Sequence, residues 1–312
     1  MNDIDLRGII PAIVTPMTWE GQVDIPALKR YAQWLAEQGP VALAVNVDTG
    51  EGPHLTADEK RQTLETVAEA VAGRCRVVAG VAGPSTAQGV ANARAAQAAG
   101  ADALLVFPIS AFLGQPLNSE VPYRYHAAIA EAVDLPLILF QLQPALGGVL
   151  FTTEILHRLI TIPSVAAIKE ASFDAMRFLQ VKAALESVSR KITFLTGNDN
   201  FICESFILGA EGALLGFSTL GTREQVQMLA AVQRGDFVEA RELGSRLQPL
   251  ADIIFAPPVT DYRARTKEAL KILGILENTT VRPPLLPISE AECETIRHAL
   301  QKAGLLLAPV SK

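Results

Sequence analysis

Eight short apolar runs, each followed by a longer stretch of helical periodicity, constrain this 312-residue chain more than any other feature. They are "GIIPAIVTP" from Gly8, "VALAVN" from Val41, "RVVAGV" from Arg76, "DALLVFP" from Asp102, "LPLILFQ" from Leu135, "VAAIK" from Val165, "ITFLTG" from Ile192 and "GALLG" from Gly212. Each is continuous rather than alternating, as a strand covered on both faces must be. The stretches between them read as helices. In "TADEKRQTLETVAEAVAG", Thr56 and Glu59 form a capping box and Gly73 stands where the helix should stop. Eight β-then-α units predict a closed (β/α)8 TIM barrel. The alternative, a doubly wound sheet, would carry a glycine-rich nucleotide turn after its first strand, and "VTPMTWEGQ" is not one. Helix signals around 222–232, 235–247, 260–274 and 289–303 exceed what one closing helix needs. The expected organisation is a barrel core over 1–222 and, within the same domain, a closing helix and C-terminal helical extension over 223–312.

Composition narrows the function. A net charge of −6 argues against a nucleic-acid surface, which needs a basic stripe. No apolar run is long enough to span a membrane. The start "MNDIDLRGII", with two acids in its first five residues, does not read as a signal peptide. Cys75, Cys203 and Cys293 are odd in number and far apart, which suits a reducing cytoplasm. The four histidines are scattered, and no metal site is expected.

In "SVAAIKEAS", residues 164–172, an apolar strand runs into Lys169. A lysine there ordinarily marks the point where a strand reaches water. A parallel barrel, however, builds its site at the C-terminal ends of its strands. The small Ala166, Ala167 and Ala171 leave room beside the amine. A free lysine is neutral only about once in a few thousand molecules at pH 7. Desolvation at the barrel mouth raises that fraction, which is the requirement for attacking a carbonyl and forming a Schiff base. At the end of the second strand, "NVDTGEGPHLT" puts Thr49 and Gly50 in a turn whose amides can converge on an anion. Such turns more commonly serve only to lead into a capped helix.

Together these stretches resemble the pyruvate-dependent lyase family that includes dihydrodipicolinate synthase and N-acetylneuraminate lyase. The likeness covers about residues 8–303: "GIIPAIVTP", "DTGEGPHLT", "AAIKEAS", "TGNDN" with "LGAEGALLG", and "TKEALKILG…RPPLLPIS" fall in family order. The resemblance implies a barrel with a helical tail, a homotetramer, and no metal or organic cofactor. It implies Lys169 as the imine-forming residue. Thr49 and Gly50, with the backbone of Asp48, would hold the carboxylate of a 2-oxo acid. Asn198 and Leu214, in the stretches matching the seventh and eighth strands, join them as substrate-binding candidates.

The departures are equally informative. The family tyrosine that shuttles protons at the imine falls on Phe140 or Gln141, and neither titrates. The first threonine of the turn is Asp48. The neighbour-supplied tyrosine is matched by Ile109 or Ser110, and the arginine for a second substrate by Ala145 or Leu146. A reaction other than that of dihydrodipicolinate synthase is therefore expected, with Asp48 as the candidate proton carrier. A glutamine near the proline of "FQLQP" parallels the branch that dehydrates 2-oxo-3-deoxy sugar acids. Gln141, Gln143, Asn198, Asp199, Ser218 and Thr219 would suit a polyol tail. "FAPPVTDYRARTK" reads as the start of a tail helix with solvated charges. The reading is a lyase performing aldol cleavage or dehydration on a 2-oxo acid. Its alternative is a non-catalytic relative that binds a 2-oxo acid or a protein partner through the same pocket.

Overall fold

The computed structural model describes residues 4–114 and 116–306. The first three residues of the acidic start, and the outer limits 1 and 312 of the expected organisation, lie outside the described residues. The eight strands are β1 (Ile9–Pro11), β2 (Ala42–Val45), β3 (Arg76–Val81), β4 (Ala103–Val106), β5 (Leu137–Leu142), β6 (Val165–Ala171), β7 (Thr193–Thr196) and β8 (Gly212–Leu215). From β2 to β8 each strand pairs in parallel with its sequence neighbour, and β1 pairs with β8. Val41 N–H donates to Ile9 O and Ile13 N–H to Ala44 O, both at 3.0 Å, which closes the cylinder between β1 and β2. The expected (β/α)8 barrel is the fold.

The helices between strands are α1 (Ile25–Ala36), α2 (Ala57–Val71), α3 (Thr86–Ala98), α4 (Glu120–Ala132), α5 (Thr153–Leu159), α6 (Ala175–Glu186) and α7 (Ile202–Ile207). After β8 come α8 (Thr222–Gln233), α9 (Phe237–Ile254), α10 (Tyr262–Ile272) and α11 (Glu290–Lys302). Side-chain oxygens of Asp24, Ser85, Thr152 and Asp174 accept first-turn amides and so fix where α1, α3, α5 and α6 begin. The Thr56–Glu59 capping box starts α2 as expected. The stop differs slightly: Ala72 takes the left-handed cap at φ 47°, and Gly73 follows at φ 76°. Two left-handed residues in succession turn the chain back, and the glycine supplies the second without strain.

The core has two shells. Leu105, Ile138, Phe140, Ala167, Leu195 and Leu214 fill the barrel interior, while Ile168, Leu139 and Val106 face the helices. This alternation along each strand decides which residues can reach the barrel mouth.

Candidate active site

β6 runs two residues beyond Lys169, to Ala171. By parity, Ala167, Lys169 and Ala171 face the barrel interior, and register pairs Lys169 with Phe140 on β5. The lysine Nζ lies 4.3 Å from the centre of the Phe140 ring. On the other side a glycine makes room, since a Cβ at Gly197 would fall 2.7 Å from Lys169 Cε and 2.8 Å from Ala171 Cβ. Burial pulls the Lys169 amine down from 10.5 to about 8, against the opposing pull of the Asp199 and Asp48 carboxylates. At pH 7 roughly one amine in ten is then neutral.

Lys169 opens into a cavity of about 270 Å³ at the C-terminal ends of the strands. Asp48 and Thr49 line it from the turn after β2. Among the described residues, the amides of Asp48 and Thr49 have no hydrogen-bond acceptor. They are the donors this turn offers an anion. Gly50 is not one of them. Its N–H goes to Val47 O at 3.1 Å, its carbonyl accepts from Thr15 Oγ1 at 2.7 Å, and a Cβ there would meet Ile13 O at 2.8 Å. Gly50 lets the turn press against the chain after β1, and the amides left free in the turn are those of its two predecessors.

Three other expected contacts are also displaced. Gln141 faces outward and is wholly buried, and its Oε1 accepts from the N–H of Phe151, ahead of α5, at 3.1 Å. Phe140 thus takes the tyrosine's place. Asn198 is buried behind the cavity as a clamp, its Nδ2 donating to Glu170 O at 2.9 Å and Glu170 Oε2 at 2.7 Å. Leu214 sits in the barrel interior below the cavity. Of the six polar residues proposed for a sugar tail, only Asp199 lines the cavity. Ser218 Oγ bonds to Gln225 and Thr219 Oγ1 to Gly216 O, both wholly buried.

Asp199 is the strongest titratable neighbour of the lysine. It is 5% exposed, its Oδ1 accepts from Phe217 N–H at 3.0 Å, and burial lifts its carboxyl from 3.8 to about 7. Its Oδ2 accepts no donor from another residue among the described residues.

The segment leading into the first turn of α10 departs most from expectation. "FAPPVTDYR" is a wall of the cavity rather than a solvated lead-in: Phe255, Val259, Thr260, Tyr262 and Arg263 all line it. Tyr262 stacks on Phe255 at 4.9 Å, and its hydroxyl donates to Asp48 Oδ2 at 3.0 Å, 3.4 Å from Thr49 Oγ1. Burial and the Asp48 charge push the phenol well above 10, so it remains a donor. Arg263 bonds Asp48 twice, through Nε to the carbonyl at 2.8 Å and through Nη2 to Oδ2. Asp48, expected to carry protons, is thus an anchor between the β2 turn and the extension. No local pattern joins residues so far apart in sequence. The one available sign was a tyrosine–arginine pair after a Pro-Pro turn.

The whole chain has close relatives. Residues 5–303 match the model of the dihydrodipicolinate synthetase family. A 4-hydroxy-tetrahydrodipicolinate synthase of Gluconacetobacter diazotrophicus is 32% identical over 98% of this chain and 100% of its own. One from Kineococcus radiotolerans is 34% identical over 97% and 94%. Among solved structures, the chloride-inhibited dihydrodipicolinate synthase of Acinetobacter baumannii complexed with pyruvate superposes with a TM-score of 0.85 at 30% identity, covering 97% of this chain and 100% of its own. The family match begins ahead of β1 and runs past the end of α11, so barrel and extension fall under it together: the chain belongs to the dihydrodipicolinate synthetase family.

Proposed function

We propose that this protein is a Schiff-base-forming lyase that acts on a 2-oxo acid by aldol cleavage or dehydration. The observation that carries the reading is the desolvated amine of Lys169 at a cavity that also holds the free amides of Asp48 and Thr49. The amides seat the substrate carboxylate and the neutral amine attacks C2. Loss of water leaves a protonated imine, which draws electrons from the C3–C4 bond or from C3–H. Phe140 in place of a phenol, and Ala145 and Leu146 lining the cavity where the synthase has an arginine, argue for a substrate other than that of dihydrodipicolinate synthase. The chemistry needs a hydroxyl on C4, which 2-oxo-3-deoxy sugar acids possess. A second reading is favoured by the wall itself: Phe107, Leu142, Leu146, Phe255 and Val259 suit an apolar tail beyond C4 better than a polyol. The contribution of the extension to the cavity supports treating 1–222 and 223–312 as parts of one domain. A cytoplasmic homotetramer is proposed on the family resemblance alone, and native mass spectrometry reads its size.

The test is borohydride trapping. Incubation with pyruvate and reduction should leave one adduct on the peptide containing Lys169, absent from Lys169→Ala. No adduct with any 2-oxo acid between pH 6 and 9 would refute the lyase reading and favour a binding protein. Gly197→Ala should slow trapping. Its methyl overpacks the lysine stem at an expected cost of about 1–3 kcal/mol in stability, measured by urea melts.

A further inference from the structure

Resting on the lyase reading, we infer that Asp199 is the group that moves the proton at C3 of the imine, in place of the missing phenol. The positions flanking Lys169 leave few alternatives. Phe140 covers one side of the amine with a ring that exchanges no proton. Asp48 is tied through its Oδ2 to the Tyr262 hydroxyl and the Arg263 guanidinium, which anchor it to the extension, and Tyr262 donates its one proton to it. Of the two acids lining the cavity, Asp199 alone meets no side-chain donor or ion-pair partner: the backbone amide of Phe217, on Oδ1, and its own amide hold it, and no donor from another residue reaches Oδ2. Gly197, two residues earlier, is in contact range of Lys169 Cε, which brings the carboxylate to the lysine's own side of the cavity. Each of the two groups pulls on the other's charge.

The step balances without a co-reactant. Once the imine has formed, Asp199 Oδ2 takes a proton from C3. The C–H electron pair becomes the C2=C3 double bond of an enamine, and the C=N pair returns to nitrogen. The neutral carboxylic acid then returns its proton to C3. With its carboxyl lifted to about 7, the group is divided between both forms at neutral pH, as a carrier working in both directions must be.

Pyruvate suffices as a probe, because the exchange of its methyl protons in deuterated buffer follows by proton NMR and needs no knowledge of the natural substrate. Wild-type protein should exchange them, with a rate that climbs through about pH 7 as Asp199 ionises. Lys169, Asp48, Tyr262 and Arg263 are the other titratable groups facing the cavity. Asp199→Asn should still form the borohydride-trapped adduct on Lys169, while exchange falls by about 10²-fold or more and loses that pH limb. Asp199→Glu, which retains a carboxylate, should exchange faster than Asp199→Asn at equal trapping. Exchange by Asp199→Asn within about threefold of wild type overturns the assignment. So does a larger loss in Tyr262→Phe than in Asp199→Asn, both trapping pyruvate. Failure of wild type to trap pyruvate is a different result, and it overturns the lyase reading beneath.

Discussion

Lys169→Met should yield a protein that no longer traps pyruvate and is more stable than wild type at neutral pH. The two effects have one cause. Burial depresses the folded-state pKa of Lys169 from 10.5 to about 8. Between those values the unfolded chain holds a proton that the folded chain does not, so stability rises with pH across that window. Below about pH 8 the folded protein must accommodate the ammonium in full. A shift of this size corresponds to about 3 kcal/mol for a fully desolvated group. The side chain opens partly onto the cavity, and removing it also takes away the cation that lowers the pKa of Asp199. A net gain of about 1–3 kcal/mol at pH 7 is therefore expected, shrinking to nothing above about pH 10.5. Methionine is the right replacement because it refills the stem and packs on the Phe140 ring. Urea melts at pH 7 and pH 10.5 measure both limits. A variant no more stable than wild type at pH 7 would mean that the amine is not desolvated.

That argument depends on which strand positions face inward, and this was legible in the sequence only up to a point. Continuous apolar runs gave the barrel, and the motif around Lys169 gave the candidate nucleophile. Between Phe140 and Gln141 the sequence offered no choice, because one inserted residue shifts the match. The register Phe140↔Lys169 settles it by parity. As amides near strand ends, Gln141 and Asn198 suit a polar substrate in the sequence. They are instead committed to Phe151 and Glu170 in the layer between strands and helices. Its motif offers Gly50 as an anion donor, yet its amide is consumed inside its own turn. The residues missed altogether, Tyr262 and Arg263, reach the site from the extension, over 200 positions from Asp48. Long-range closure of this kind has no local periodicity to reveal it. Asp199 was visible only as one of several polar residues; its burial and its freedom from ion pairs single it out.

The extension also carries the largest stability effect expected of a single substitution. Lys267 on α10 and Glu51 in the β2 turn are both wholly inaccessible to solvent, with Nζ 2.5 Å from Oε1. Lys267 also donates to Thr280 O at 2.7 Å, and Glu51 Oε2 accepts from Arg282 N–H at 2.7 Å. Glu51 sits in the left-handed region at φ 56°, so the turn holding Asp48 and Thr49 is strained and needs outside support. Lys267→Met removes the cation and leaves a buried carboxylate with one backbone donor. The expected loss is about 3–5 kcal/mol, a large part of the stability of an ordinary domain. Desolvating two charges is itself expensive, so replacing both should cost far less than the sum of the single changes. Glu51→Gln combined with Lys267→Met removes both charges, and the glutamine can still accept from Arg282. Urea melts of the two single variants and the double variant close the cycle. A coupling energy near zero would mean that the pair does not hold the turn. Because this turn seats the carboxylate under the lyase reading, Glu51→Gln should also raise the pyruvate concentration needed for half-maximal trapping while Lys169 remains reactive. An unchanged half-saturation would separate the ion pair from the binding site and leave it a purely structural tie between barrel and extension.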